Sequence, residues 1–500
     1  MPRGKVGGVA DVMRDLPPAV ARQGYRVSVV TPSYGALHRL EGARPAGSIN
    51  ARFRGDTIRV DVYELALRDV TCVLLDHPAF APTEPGVIYH DDDDQRPYAT
   101  DANKFAAFGA AAAAWVQALD PAPSVVHLND WHAAFYLLFR EFDPDSASLR
   151  TIRTVFSIHN LAYQGQRPFD GDDSSLSHWF PELDVDRSIV VDPHVADCIN
   201  PMAFAIRRAD AVNTVSPTYA EEICRPSDPA RGFHGGEGLE GDLRAVARED
   251  RLFGILNGCE YPASRPPRPG WQRVVSLLKA QADAWSKDLP GNAAHRLAAE
   301  RIATLPKRRP LHVLTSIGRL VTQKASLMLE PVDDAPTALD AILDRTGKQG
   351  VLILVGSGDA RLEAGVAEVA RRHANLVFMN GYSETITGPL YRGGDLFLMP
   401  SSFEPCGISQ MLAMRAGQPC VVNAVGGLRD TVEDGETGFV FHGDNPRDQA
   451  QAFVDTVIGA LELRAERPVR WAGIAQRAER LRFDWDTAAR QYIERMYETH

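Results

Sequence analysis

A chain of 500 residues is too long to close around one hydrophobic core, so two domains are expected. A net charge of −11 argues against nucleic acid or an anionic membrane as the main partner, and no run of eighteen apolar residues suggests a membrane span. The six cysteines (Cys72, Cys198, Cys224, Cys259, Cys406, Cys420) form no C-x-x-C pair and no zinc spacing, and no secretory leader pattern is read, which points to a reduced, cytoplasmic protein.

The chain opens with GKVGGVADV at 4–12, a Lys beside a Gly-Gly turn and an immediate helix, the pattern of a phosphate-binding loop. Such loops follow a buried strand, but only Met1 to Gly4 precede Lys5, too few at about 3.3 Å per residue to cross a sheet. The expectation is that a first central strand is missing through an internal start codon, with a mobile Lys5 loop and weak or absent activity. A form extended by the upstream in-frame codons is expected to be more stable and more active. Strands are expected at 26–32, 72–77, 124–130, 154–160 and 211–216, with an alanine-rich buried helix over 105–116. The run HDDDD at 90–94 reads as a solvated loop rather than a metal site, because consecutive aspartates in regular structure cannot all face one ion. The Pro-rich EYPASRPPRPG at 260–270 reads as an interdomain connection. Beyond it, strands are expected at 311–319, 351–358, 376–382, 396–401 and 419–424, with helices at 362–373 and 408–416. This alternation is the signature of parallel α/β architecture, with ligands at the carboxyl ends of the strands.

Several strand ends terminate in groups that a core would not want. SVVHLNDWHAAF delivers Asp130 and TVFSIHNLAYQG delivers His159 and Asn160, from sequential strands whose ends would face one cleft. A lone strand-end His more often satisfies local backbone groups, and it is the pairing of two such ends that favours a site. In SIGRLVTQK, Arg319 and Lys324 could converge on a diphosphate, although the spacing alone also fits two solvated helix-start charges. In PSSFEPCGISQ, Glu404 could accept hydrogen bonds from bound hydroxyls while N–H groups of Gly407 to Ser409 face an anion; an N-capping carboxylate is the competing reading.

KVGGVADV, LNDWHAAF, IHNLAYQG, AVNTVSPTYAEEI, GILNGCEY, IGRLVTQK, SSFEPCGISQ and VGGLRDTVEDGETGFVF occur in one order, from Lys5 to the closing FDWDTAARQYIERMY. That order resembles the bacterial glycogen synthases and plant starch synthases, retaining glycosyltransferases of family 5. The resemblance implies a GT-B fold of two Rossmann-like domains facing a cleft. These would be an N-terminal starch synthase catalytic domain over 1–258, a nucleotide-sugar-binding domain over 259–480, and a C-terminal helix over 481–500 crossing back. It implies that Lys5, Gly7, Gly8 and Asp11 belong to the donor site, and that Asp130, His159, Asn160 and Asn257 surround the transferred glucosyl unit. Arg319 and Lys324 would neutralise the leaving diphosphate, Tyr382 would stack on the nucleobase, Glu404 would hold sugar hydroxyls, and Cys406, Gly407 and Ser409 would contact phosphate and sugar.

The implied reaction moves glucose from ADP-glucose or UDP-glucose to the non-reducing end of an α-1,4-glucan, without metal or cofactor, for glycogen or starch biosynthesis. A backbone carbonyl near His159 would stabilise oxocarbenium character, the departing phosphate would take the acceptor's proton, and closure of the two halves would exclude water. The chain departs from the family pattern at Ser402 (usually Arg), at Ala325 (usually Gly), at Phe204 (commonly Lys) and at Cys259-Glu260-Tyr261-Pro262, which bears on donor and acceptor preference. The alternatives are a retaining GT-B enzyme with a small-sugar acceptor, a catalytically silent glucan-binding homologue, or a phosphorylase carrying pyridoxal phosphate.

Overall fold

The computed structural model describes residues 7–264, 266–289 and 291–498. The chain divides into two compact units, one of Met1–Ser227, Gly235–Gly258 and Asp484–His500, the other of Asp228–His234 and Cys259–Phe483. Among the described residues, no helix is long and apolar enough to cross a membrane.

The first unit carries strands β1 (Ser28–Pro32), β2 (Arg44–Phe53), β3 (Asp56–Leu67), β4 (Val70–Asp76), β5 (Val125–Asn129), β6 (Arg153–Ile158), β7 (Arg167–Pro168), β8 (Cys198–Ile199), β9 (Ala211–Thr214) and β10 (Leu252–Gly254). They form two four-stranded sheets, β1-β4-β3-β2 and β10-β9-β6-β5, and a small β7-β8 ladder. The second four-stranded sheet is wholly parallel, as its short apolar strands lead one to expect. The first is mixed: β1 runs parallel to β4, while β2, β3 and β4 form an antiparallel meander. The sequence reading placed no strands at β2 and β3. Their alternation puts Arg59 and Asp61 outward and Val60 and Val62 inward, so the stretch carries as much charge as a loop.

The helix Gly7–Arg22 buries Val12, Leu16, Ala19 and Val20 at helical spacing against Ile255 and against Trp485, Ala488 and Tyr492 of the helix Trp485–Tyr492. The alanine-rich segment is the helix Ala99–Gln117, buried along most of its length. Ahead of it the aspartate run is a loop with Asp91, Asp93 and Asp94 exposed; Asp92 accepts from the backbone N–H and the hydroxyl of Thr100, and His90 pairs with Asp101 at 2.8 Å.

The second unit holds β11 (His312–Ile317), β12 (Gly350–Gly356), β13 (Leu376–Asn380), β14 (Leu396–Met399), β15 (Cys420–Asn423) and β16 (Phe439–Phe441) in one parallel sheet ordered β13-β12-β11-β14-β15-β16. Both faces are covered, which is why these strands read as unbroken apolar runs. Leu314, Leu352, Leu354, Phe378 and Leu398 face one core, while Val313, Ile353, Val377, Phe397 and Val422 face the other.

Candidate active site

In the first unit, β5 and β6 are parallel neighbours, with Asn129 opposite Ser157, so their carboxyl ends lie side by side. Asp130 leaves β5 at φ +54, a left-handed conformation that Asp tolerates better than most residues. The turn brings its carboxylate over the end of β6. There Oδ1 accepts from the backbone N–H of His159 at 2.8 Å, and the N–H of Asn160 adds a second bond. Burial raises the Asp130 pKa, opposed by His159 and by these two N–H groups. The His159 ring is buried too, and desolvation pulls its pKa down against the opposing pull of Asp130. Its Nε2 lies 2.9 Å from Oδ1 of Asn129, a residue that sequence reasoning passed over. Asn160 folds its amide oxygen onto the N–H of Ala162 at 3.0 Å.

Asn257 is buried, and its Oδ1 has no hydrogen-bond partner among the described residues. A buried amide oxygen left bare costs about 1–3 kcal/mol, so the position favours an incoming hydroxyl or N–H donor. At the start of the described chain, Gly7 opens the first helix, Gly8 is exposed, and Asp11 pairs with Arg14 at 3.0 Å. Lys5 and the segment before it lie outside the described residues.

In the second unit, β11 and β14 are adjacent, and the segments that follow them meet. Arg319 is exposed just beyond β11, and Lys324 stands on the helix Thr322–Leu329. The Lys324 Nζ lies 2.9 Å from Oε2 and 3.2 Å from Oε1 of Glu404, which is 6% exposed and also accepts from Ser401 Oγ at 3.1 Å. Glu404 therefore faces a cation and a hydroxyl, and does not cap the helix Ser409–Arg415, whose first turn has no side-chain cap.

The turn through Glu404, Cys406 and Gly407 is held from beneath. Gly426 and Gly427 pack so tightly on it that an added Cβ would stand 2.1 Å from the Glu404 carbonyl oxygen and 2.3 Å from that of Cys406. The motif VGGLRD is legible in sequence, but this steric demand is not. Gln410 donates to the carbonyls of Cys406 and Gly407, each at 3.1 Å, and Ser409 bonds the hydroxyl of buried Tyr391. Tyr382 follows β13 and is 63% exposed, its ring open for stacking. Of the departures, Ser402 donates its hydroxyl to the Gln323 carbonyl at 3.2 Å, Ala325 is buried, and Phe204 stacks on Phe142.

Residues 1–245 match the family model of the starch synthase catalytic domain, and residues 312–461 match that of the group 1 glycosyl transferases. A glycogen synthase from Anaeromyxobacter sp. (strain Fw109-5) is 37% identical over 509 aligned positions, covering 98% of this chain and 96% of the relative. The chain belongs to the glycogen and starch synthase family. A glycogen synthase from Streptococcus equi subsp. equi is 32% identical, with 99% of this chain and 96% of the relative covered. Among solved structures, the catalytic domain of starch synthase IV from Arabidopsis thaliana, bound to ADP and acarbose, superimposes with a TM-score of 0.75. That match has 25% identity over 98% of this chain and 96% of the other. A sucrose-phosphate synthase from Thermosynechococcus elongatus, at 16% identity and TM-score 0.54 over 98% and 93%, shares the fold. This member of the glycogen and starch synthase family is thus a glycosyltransferase of GT-B fold.

Proposed function

We propose that this enzyme transfers glucose from ADP-glucose to the non-reducing end of an α-1,4-glucan with retention of configuration. The observation that carries the reading is the Lys324–Glu404–Ser401 constellation at the adjoining ends of β11 and β14, with Arg319 beside it. A carboxylate offers about four lone-pair sites, and Glu404 gives only part of them to Lys324 and Ser401, so acceptor capacity remains for sugar hydroxyls. Lys324 has three N–H donors and can keep its bond to Glu404 while donating to a diphosphate oxygen. Arg319, exposed and unencumbered by burial, supplies a second cation, and together they offset the charge that grows as the diphosphate departs. The exposed ring of Tyr382 suits a nucleobase, and ADP is the nucleotide bound to the Arabidopsis starch synthase IV domain.

In the first unit, His159 and Asn160 at the end of β6, Asp130 beside them and the bare oxygen of Asn257 serve the glucosyl unit. Asp130 acts through the loop it fixes, since its carboxylate holds two backbone N–H groups. Lys5, Gly7, Gly8 and Asp11 would complete the donor site, and Cys406, Gly407 and Ser409 would meet phosphate and sugar. Among the described residues the six cysteines form no disulfide, which suits a reduced, cytoplasmic enzyme. The test is a donor-by-acceptor assay: ADP-glucose with glycogen is expected to give the highest kcat/KM, and preference for a free sugar or sugar-phosphate acceptor would refute the reading.

A further inference from the structure

We infer that Asn129 is a positioning residue that fixes His159 in its Nε2–H tautomer, leaving Nδ1 as the ring's hydrogen-bond acceptor. Asn129 closes β5, and its Nδ2 donates to the carbonyl of His127 at 3.4 Å. An amide has donors on one side only, so this bond turns Oδ1 away from His127 and toward the His159 ring, 2.9 Å from Nε2. An oxygen that can only accept requires a proton on Nε2. The ring is 8% exposed, and burial holds it toward the neutral form. A neutral imidazole carries one N–H, so with the proton on Nε2 the other nitrogen is a bare lone pair.

The backbone is fixed by an independent bond, from the His159 N–H to Asp130 Oδ1 at 2.8 Å, so the loop's position does not depend on Asn129. Two neighbouring residues of one turn therefore divide the work. Asp130 holds the main chain of His159, and Asn129 sets which face of its ring accepts. A ring in the other tautomer, or protonated, would present to a substrate hydroxyl a donor in place of an acceptor. The ionisable groups facing the ring are Asp130, His127 and His132. Desolvation drives both of those histidines down to about 3, which leaves Asp130 as the acid facing the ring among the described residues.

The inference rests on the reading of His159 as a substrate-facing residue only for its effect on rate; the tautomer is tested separately. The full-length protein labelled with ¹⁵N-histidine gives the ring-nitrogen shifts, and a His159→Gln sample assigns the signals. The expected wild-type spectrum has a protonated Nε2 and an unprotonated Nδ1; an Nδ1–H tautomer would overturn the proposal without any variant. Asn129→Ala is expected to mix the tautomers and to lower kcat about tenfold or more, with the KM for ADP-glucose within a few-fold, as expected for a misplaced group. Asn129→Asp restores an acceptor but favours imidazolium, so its rate should recover at pH 8 and fall toward pH 6 more steeply than wild type. An unchanged tautomer in Asn129→Ala would overturn the proposal. Mixed tautomers with an unchanged kcat would uphold the positioning and count instead against His159 facing the substrate.

Discussion

Lys324 and Glu404, eighty residues apart, meet at 2.9 Å at the ends of neighbouring strands β11 and β14, with one partner 23% and the other 7% exposed at the side chain. A pair so placed costs desolvation, and its retention at a strand-end site fits a role in holding ligand charge rather than in stability. Replacing Glu404 by Gln or Lys324 by Ala is expected to lower kcat by more than about a hundredfold with the fold intact, as for one preorganised charge in a water-poor site. Circular dichroism and steady-state rates check this, and rates within a few-fold of wild type for both would remove the assigned roles.

Chelation is a second test. In the proposed reaction Arg319 and Lys324 offset the charge of the leaving diphosphate, so glucosyl transfer is expected to persist in EDTA. Loss of activity restored by Mg²⁺ or Mn²⁺ would show that the two cations are insufficient.

Gly427 and Gly426 support the Glu404 turn by having no side chain. Alanine at 427 would put a methyl 2.3 Å from the Cys406 carbonyl, so backbone must move. Gly427→Ala is expected to cost about 1–3 kcal/mol by overpacking and to depress kcat by shifting Glu404. Thermal melting and rate measurements on the same sample check it; a wild-type melt with full activity would show that the turn yields without consequence.

Buried and half-buried histidines contribute to the acid side of stability. His77, His127, His132, His159 and His312 all have pKa values pulled below 6.5, desolvation being the largest cause in each. The unfolded chain then binds more protons than the folded one as pH falls below 6.5, so stability is full above that pH and is lost below it. Each such group contributes a slope of up to about 1.4 kcal/mol per pH unit. Denaturant midpoints should fall steeply between pH 6.5 and 5, and His127→Gln, whose side chain can still hydrogen-bond, should flatten that slope. A flat profile would contradict the burial of neutral rings.

The strand ends were legible in sequence because an apolar run that stops at Asp130, His159 or Arg319 leaves a polar group with no core reason to be there. Legibility failed where a residue acts through shape or through another residue. Gly426 and Gly427 matter as absent atoms, Asn129 matters by its contact with His159, and Tyr391 by its bond to Ser409. The β2–β3 hairpin escaped because one solvated face fills every second position with polar side chains. The division of the chain was partly visible in the proline run, whereas the grouping of Asp228–His234 with Cys259–Phe483 depends on contacts that local sequence does not encode.

The most direct measurement incubates the purified protein with ADP-[¹⁴C]glucose and glycogen and follows label into ethanol-insoluble glucan. Incorporation that β-amylase releases as labelled maltose, the mark of new α-1,4 bonds at non-reducing ends, is expected, with a more than about hundredfold loss in Glu404→Gln. Label confined to free glucose or a small-sugar product, with none in glucan, would contradict the proposed reaction.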